Sequence, residues 1–97
     1  GEKMIKDFAD KETEKVYQQK FSKKLPVNIQ RIALRKLMMI DNANDIMDLT
    51  VPPANHLEYL AGKRKGQQSI RINKQYRICF VLKNRNEFYD VKIVDYH

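Results

Sequence analysis

The sequence predicts an α+β domain, two helices followed by a small antiparallel sheet. Three observations carry that reading. Ile29, Ile32, Ala33, Leu37 and Ile40 recur at spacings of three and four, the stripe of an amphipathic helix. From Asn55 onward the apolar period becomes two, as in half-buried strands. Gly and Asn clusters then divide that second half at hairpin spacing.

The elements follow in order. Residues 4–8 alternate weakly and suit a short first strand. Asp10 is placed to cap a helix, with Glu12 and Glu14 in the first turn where the helix dipole favours acids. That helix is expected to run to about Lys20, with Val16 and Tyr17 as its apolar contacts. Residues 22–26 break it, and Lys23 and Lys24 read as a solvated link.

Pro26 suits the first turn of the second helix, because its φ is already helical. Arg31, Arg35 and Lys36 are expected on its other sides, while Leu34, Met38 and Met39 widen its apolar surface. The helix should end near Asn42, Ala43 and Asn44. Residues 45–49 read as a short turn or irregular link, and Pro52 and Pro53 forbid regular structure.

Beyond them, His56, Glu58 and Leu60 are expected on one strand face and Leu57 and Tyr59 on the other. Gly62 and Gly66 bracket a basic turn, Lys63, Arg64 and Lys65. In the next strand Ile70 and Ile72 face one way, and Ser69, Arg71 and Asn73 the other. A tight link of Asn73, Lys74 and Gln75 leads to a strand with Tyr76, Ile78, Phe80 and Leu82 on one face. Arg77, Cys79 and Val81 take its other face. A turn at residues 84–86 leads to the last strand, 88–96.

At 97 residues the chain is one domain, taken as residues 4–97. The three residues before Met4 read as an expression remnant. The formal net charge of +7 calls for an acidic partner. The single Cys79 lies in an apolar strand, and no segment has the length of a membrane span or the pattern of a signal peptide, so a cytoplasmic protein without a membrane partner is expected.

The charge is concentrated. Between Glu58 and Glu87 lie eight basic residues and no acid: Lys63, Arg64, Lys65, Arg71, Lys74, Arg77, Lys83 and Arg85. Strand alternation there displays the charge on a sheet, and the chain stops at Asp95, Tyr96 and His97. A cationic sheet beside titratable residues points to binding and cutting a polyanion. Two His and one Cys offer no metal-ligand spacing, and no phosphate-loop or nucleophile-elbow pattern occurs.

What remains is metal-free RNA chemistry, which requires a base, a cation and an acid. His97 has the side chain that titrates near neutrality, and Asp95 and Tyr96 are able to orient, accept or donate beside it. Arg77 offers a permanent planar cation, with Arg71 and Lys74 to supplement it. An arginine within an apolar strand needs a partner, and Asp95 and a phosphate both qualify. Tyr76 and Phe80 read as core, and Tyr96 as a possible stacking surface for a base.

The motifs become recognisable as sets. Ser-Ile-Arg-Ile-Asn at 69–73, Tyr-Arg-Ile-Cys-Phe at 76–80, the opening Met-Ile-Lys-Asp-Phe at 4–8 and the closing Val-Lys-Ile-Val-Asp-Tyr-His at 91–97 together resemble HigB-type toxins of the RelE-like superfamily. The resemblance implies a microbial ribonuclease fold, with two N-terminal helices packed on a small antiparallel sheet. It implies a toxin that enters the ribosomal A site and cleaves translated mRNA without metal or cofactor, thereby inhibiting translation.

Its implied partners are the ribosome, mRNA and a HigA-type helix-turn-helix antitoxin, with operator DNA bound only through the antitoxin complex. By position, Arg77, Asp95, Tyr96 and His97 carry the active site, joined by Glu58. Lys63 and Arg64 match the family's basic loop, and with Lys65, Arg71, Asn73 and Lys74 they are expected to form the surface for RNA or the ribosome. Some relatives carry histidine where Glu58 stands, lysine where Ala61 stands and arginine where Asn73 stands. His56 is a candidate to replace that histidine. The rival readings are a non-catalytic ribosome- or nucleic-acid-binding module, and a corepressor that binds DNA with its antitoxin.

Overall fold

The computed structural model describes residues 3–96. Two helices, α1 (Lys11–Tyr17) and α2 (Val27–Asp41), precede four strands: β1 (Glu58–Tyr59), β2 (Gln68–Arg71), β3 (Tyr76–Lys83) and β4 (Glu87–Asp95). The strands form one antiparallel sheet in sequence order, β1-β2-β3-β4. The expected α+β arrangement of two helices and a meander is therefore the observed one.

Asp10 caps α1 as its position predicts, its carboxylate accepting from the Thr13 amide at 2.8 Å. The helix ends at Tyr17, three residues earlier than the sequence suggests. Gln19 adopts a left-handed conformation (φ 63°), and the Lys20 amide reaches back to the Lys15 carbonyl at 2.8 Å. That left-handed closure normally calls for glycine, so a Gln there gave no signal.

Residues 4–9 do not form a regular strand. They run beside β4 through isolated parallel bridges, Ile5 with Phe88 and Phe8 with Val91. The cause lies in β4, where Cys79 pairs with Lys92 but Val81 pairs with Tyr89. One extra residue therefore bulges opposite Phe80. Asp90 sits there with φ 53°, and its amide donates to the Asp7 carboxylate at 2.6 Å. The N-terminal segment thus follows a bent edge.

The core lies between the helices and one face of the sheet. Ile29, Ala33, Leu37 and Ile40 of α2 meet Ile70, Ile78, Phe80, Phe88 and Ile93. Phe80 and Phe88 pack edge to face at 5.0 Å. Thr13 is buried at the joint and accepts from the Ile93 amide at 2.9 Å, which ties α1 to β4.

Asp41, at the end of α2, is the polar centre of the N-terminal half. One carboxylate oxygen accepts from the Met4 and Ile5 amides, both at 3.0 Å. The other accepts from the Tyr17 hydroxyl at 2.6 Å. One side chain thereby joins the N-terminal segment, α1 and α2. Burial, and then the Asp41 bond, push the Tyr17 hydroxyl pKa up to about 12.

The alternation expected from Asn55 onward fails at its start. Pro53–Asn55 is a 3-10 turn, and His56 closes it in a left-handed conformation (φ 45°). His56 is therefore not on a strand face with Glu58, and β1 is only two residues long. Lys36 departs as well. It is buried against Asn55 instead of standing on a solvent side of α2.

Two outcomes follow for stability. Asp41→Ala leaves the Ile5 amide and the Tyr17 hydroxyl without their acceptor and the Met4 amide with only the Asp41 carbonyl at 3.3 Å, and denaturant unfolding should show a loss of about 1–3 kcal/mol. Tyr17 is held neutral in the fold, so its contribution is complete below the unfolded value near ~10 and is lost as pH rises toward about 12. The stability difference between wild type and Tyr17→Phe should therefore shrink on going from neutral pH into that alkaline window. A difference independent of pH would refute the buried-hydroxyl account.

Candidate active site

The pairing register decides what Arg77 can reach. Residues directly opposite in an antiparallel pair share a face. Arg77 is opposite Arg71 on one side and Val94 on the other, while Ser69 lies opposite both Glu58 and Cys79. All of these belong to the face turned away from the helices. Leu60, Cys79 and Val94 form a small second apolar cluster on it.

Arg77 is only 9% exposed. Its Nε donates to Ser69 Oγ at 2.7 Å, and a terminal nitrogen donates to the His56 carbonyl at 2.5 Å. The same nitrogen lies 3.4 Å from a Glu58 carboxylate oxygen. Magnitudes rank these contacts. Hydrogen bonds from a charged group contribute about 1.5–3 kcal/mol each, whereas an ion pair with a half-exposed carboxylate contributes about 0–1 kcal/mol. Ser69 and the His56 carbonyl therefore hold the guanidinium, and Glu58 trims its charge. The left-handed turn at His56 has a purpose here, since it supplies that carbonyl.

Arg71 and Arg77 are like charges placed opposite one another, an unfavourable cross-strand pair. They diverge. Arg77 leans toward Ser69 and His56, while Arg71 Nε turns to the Asn73 carbonyl at 3.1 Å.

The C-terminal residues divide between faces. Tyr96 lies on the Arg77 side, with the guanidinium carbon 5.9 Å from its ring centre, and it is 41% exposed. Asp95 is opposite Tyr76, on the helix side of the sheet, at the exposed end of β4. Both Asp95 oxygens accept from the Gln75 side-chain amide at 3.2 Å. The Tyr96 amide donates to the Gln75 carbonyl at 2.6 Å, which fixes the residue after β4 against the β2–β3 hairpin. The pairing of Arg77 with Asp95 that the sequence left open is replaced by the Glu58 pair. His97 lies outside the described residues.

An open cleft of about 360 Å³ is lined by Arg64, Val94, Asp95 and Tyr96. It joins the basic turn to the C-terminal residues. In that turn Gly62 and Gly66 both have positive φ, +65° and +94°, so they allow Gly62–Arg64 to coil into a 3-10 turn. Lys63 and Lys65 are exposed beside Arg64. Arg71, Asn73 and Lys74 border a different cleft together with His56. Part of Asn73 is committed to structure, because its Oδ1 accepts from the Gln75 and Tyr76 amides at 2.8 and 2.7 Å.

The expected site residues thus form two neighbouring groups on either side of Arg77. Sequence reasoning missed Ser69 and the His56 carbonyl. Ser69 alternates with Arg71 in the sequence, but its meeting with Arg77 needs the β2–β3 register. Cys79 is the nearby nucleophile type, and burial pushes its thiol pKa up, which keeps it neutral and structural. Among the described residues, no three His, Cys, Asp or Glu side chains converge as a metal site would require.

Ser69→Ala should destabilise the fold by about 1–3 kcal/mol, because it strands a buried charged donor. Glu58→Gln should cost less than about 1 kcal/mol. Chemical denaturation of both variants checks the ranking, and the reverse order would show that the carboxylate is the main partner of Arg77.

Comparison with known proteins points one way. A family model described as the RelE-like toxin of the type II toxin–antitoxin system HigB matches residues 6–97. The chain is 42% identical over 78 residues to Toxin HigB-1 of Vibrio cholerae serotype O1 (strain ATCC 39315 / El Tor Inaba N16961), covering 79% of this chain and 82% of that protein. It is also 43% identical over 74 residues to an uncharacterized protein of Haemophilus influenzae (strain ATCC 51907 / DSM 11121 / KW20 / Rd), covering 76% of this chain and 71% of that protein.

Proposed function

This chain belongs to the HigB-like family of RelE-like toxins of type II toxin–antitoxin systems, which implies an antitoxin partner, and from that membership we propose that it is a ribosome-dependent mRNA endonuclease. It would act in the cytoplasm, in the ribosomal A site, without metal. The observation that carries the proposal is Arg77, a buried and oriented guanidinium flanked by Tyr96 and the cleft of Arg64 and Asp95.

The chemistry is transesterification within the RNA. The ribose 2′-oxygen gives up its proton and bonds to the adjacent phosphorus. The bond from phosphorus to the 5′-oxygen breaks, and that oxygen takes a proton. The products are a 2′,3′-cyclic phosphate and a 5′-hydroxyl. Asp95 and His97 share the two proton transfers. Arg77 stabilises the negative charge that grows on the phosphoryl oxygens. Its fixed geometry matters, because a preorganised cation does not reorient during the reaction.

Tyr96 stacks or positions a nucleotide at the edge of the site. Glu58, beside Arg77, takes the place of the histidine found in some relatives. The ribosome supplies alignment of the strand for in-line attack, so cleavage of free RNA should be weak. Lys63, Arg64 and Lys65 face ribosomal or messenger phosphates, as do Arg71, Asn73 and Lys74. Binding to operator DNA is assigned to the complex with a HigA-type helix-turn-helix antitoxin.

One observation favours a binding-only reading. Arg77 already has three polar partners, so its role is satisfied without substrate. Cleavage in a purified translation system, with and without ribosomes, separates the two readings. The nuclease reading expects ribosome-dependent cuts that fall at least about a hundredfold in Arg77→Ala and in His97→Ala proteins of verified fold. Full cutting by both variants would rule out these assignments. Ribosome binding by a wild type that does not cut would leave a binding module.

A further inference from the structure

Beside the face that carries Arg77 lies a second cleft, of about 460 Å³, between α2 and the β2–β3 hairpin. Four of its lining residues are cations: Arg35 and Lys36 from α2, and Arg71 and Lys74 from the hairpin. His56 also borders it, and no Asp or Glu is among its lining residues. The cleft exists because β1 is too short to cover the hairpin end of β2. Ile32 and Ile72 give it apolar walls.

Lys36 makes this more than a cationic patch. It is only 7% exposed. Its ammonium makes one hydrogen bond among the described residues, to Asn55 Oδ1 at 2.5 Å. Asn55 cannot turn away, because its amide donates to the Leu49 and Val51 carbonyls at 3.1 and 3.3 Å. Among the described residues no carboxylate lies within ion-pair distance of Lys36. A buried cation that faces only a neutral amide and other cations is costly to retain. Burial, and then the charge of Arg35, push its pKa down. A methionine would fill the same space without that cost, so the charge calls for an anion that is bound when the protein works.

We propose that this cleft is a phosphate subsite for an RNA strand, formed by Arg35, Lys36, Arg71 and Lys74 and separate from the position where the scissile phosphate meets Arg77. The assignment of RNA as the polyanion rests on the function proposed above. The subsite adds two α2 residues to the binding surface. His56 joins the two regions, since it borders the cleft while its carbonyl holds Arg77. The phosphate belongs either to the messenger outside the cut or to ribosomal RNA.

Arg35 is exposed and makes no hydrogen bond or ion pair among the described residues, so Arg35→Gln should fold normally. Two probes are titrated from about 50 to about 200 mM salt. One is a short 2′-O-methyl RNA, which cannot be cut for want of a free 2′-hydroxyl. The other is purified ribosomes. Arg35→Gln should weaken binding roughly three- to tenfold at the lower salt and reduce the salt slope by about 0.7 on single-stranded RNA. Adding Lys36→Met should roughly double the change in slope.

Loss on the oligonucleotide identifies the substrate strand, and loss on ribosomes alone identifies ribosomal RNA; both support the subsite. Unchanged affinity and slope on both probes overturn it, as does a wild type that binds neither. The outcome is independent of cleavage. A wild type that never cuts but loses affinity in Arg35→Gln keeps the subsite and discards the nuclease. One that cuts normally, with unaltered binding by Arg35→Gln, does the reverse.

Discussion

A guanidinium leaves water only when a full set of acceptors is built around it, and the open side of this sheet is arranged to meet that demand for Arg77. Ser69 must lie one diagonal step away on β2, which sets the β2–β3 register. His56 must present its carbonyl, which requires the left-handed residue that ends the proline turn. Glu58 must reach across from a strand otherwise too short to matter. A one-residue slip of β1 or β2 would turn Glu58 or Ser69 to the opposite face. The cation is thus oriented by the fold itself, the preorganisation that the role proposed for Arg77 requires.

The opposite side of the sheet solves a different problem. Apolar contact between α2 and the strands supplies most of the burial, but it does not locate the N-terminal segment. Asp41 does that, drawing the Met4 and Ile5 amides and the Tyr17 hydroxyl to one carboxylate. The bulge at Asp90 completes the arrangement by bending β4 so that residues 4–9 can bridge to it. Neither feature touches the candidate site. Both keep β4 in place, and its end brings Tyr96 against Arg77 and Asp95 into the cleft with Arg64.

A net charge of +7 on so small a domain is repulsive, and the fold disposes of it unevenly. Arg85 is neutralised by Asp45, whose carboxyl pKa is lowered first by the Met47 amide and then by that arginine. Arg77 is largely spent on internal partners. Arg71, Lys74, Arg35 and Lys36 are left around one cleft, and Arg64 around the other. One cleft therefore gathers four cations and no acid, while the other sets Arg64 beside Asp95.

The amino-acid order alone determined the α+β class, the α2 stripe, the Asp10 cap, the basic turn between Gly62 and Gly66, and the family motifs, because each is written in local spacing. Helix periods, caps and strand alternation need no knowledge of distant residues. Tertiary structure decided the rest. Arg77 could be seen to need a partner, but Ser69 and the His56 carbonyl became that partner only through register and a left-handed turn at a residue that gives no such warning. Lys36 reads as a surface lysine on a helical wheel, yet Asn55, nineteen positions away, draws it inside. Asp95 and Tyr96 are neighbours in sequence, and the pleat of β4 sends them to opposite faces. Such pairings are contacts across the sheet and between layers, and a chain read one segment at a time does not contain them.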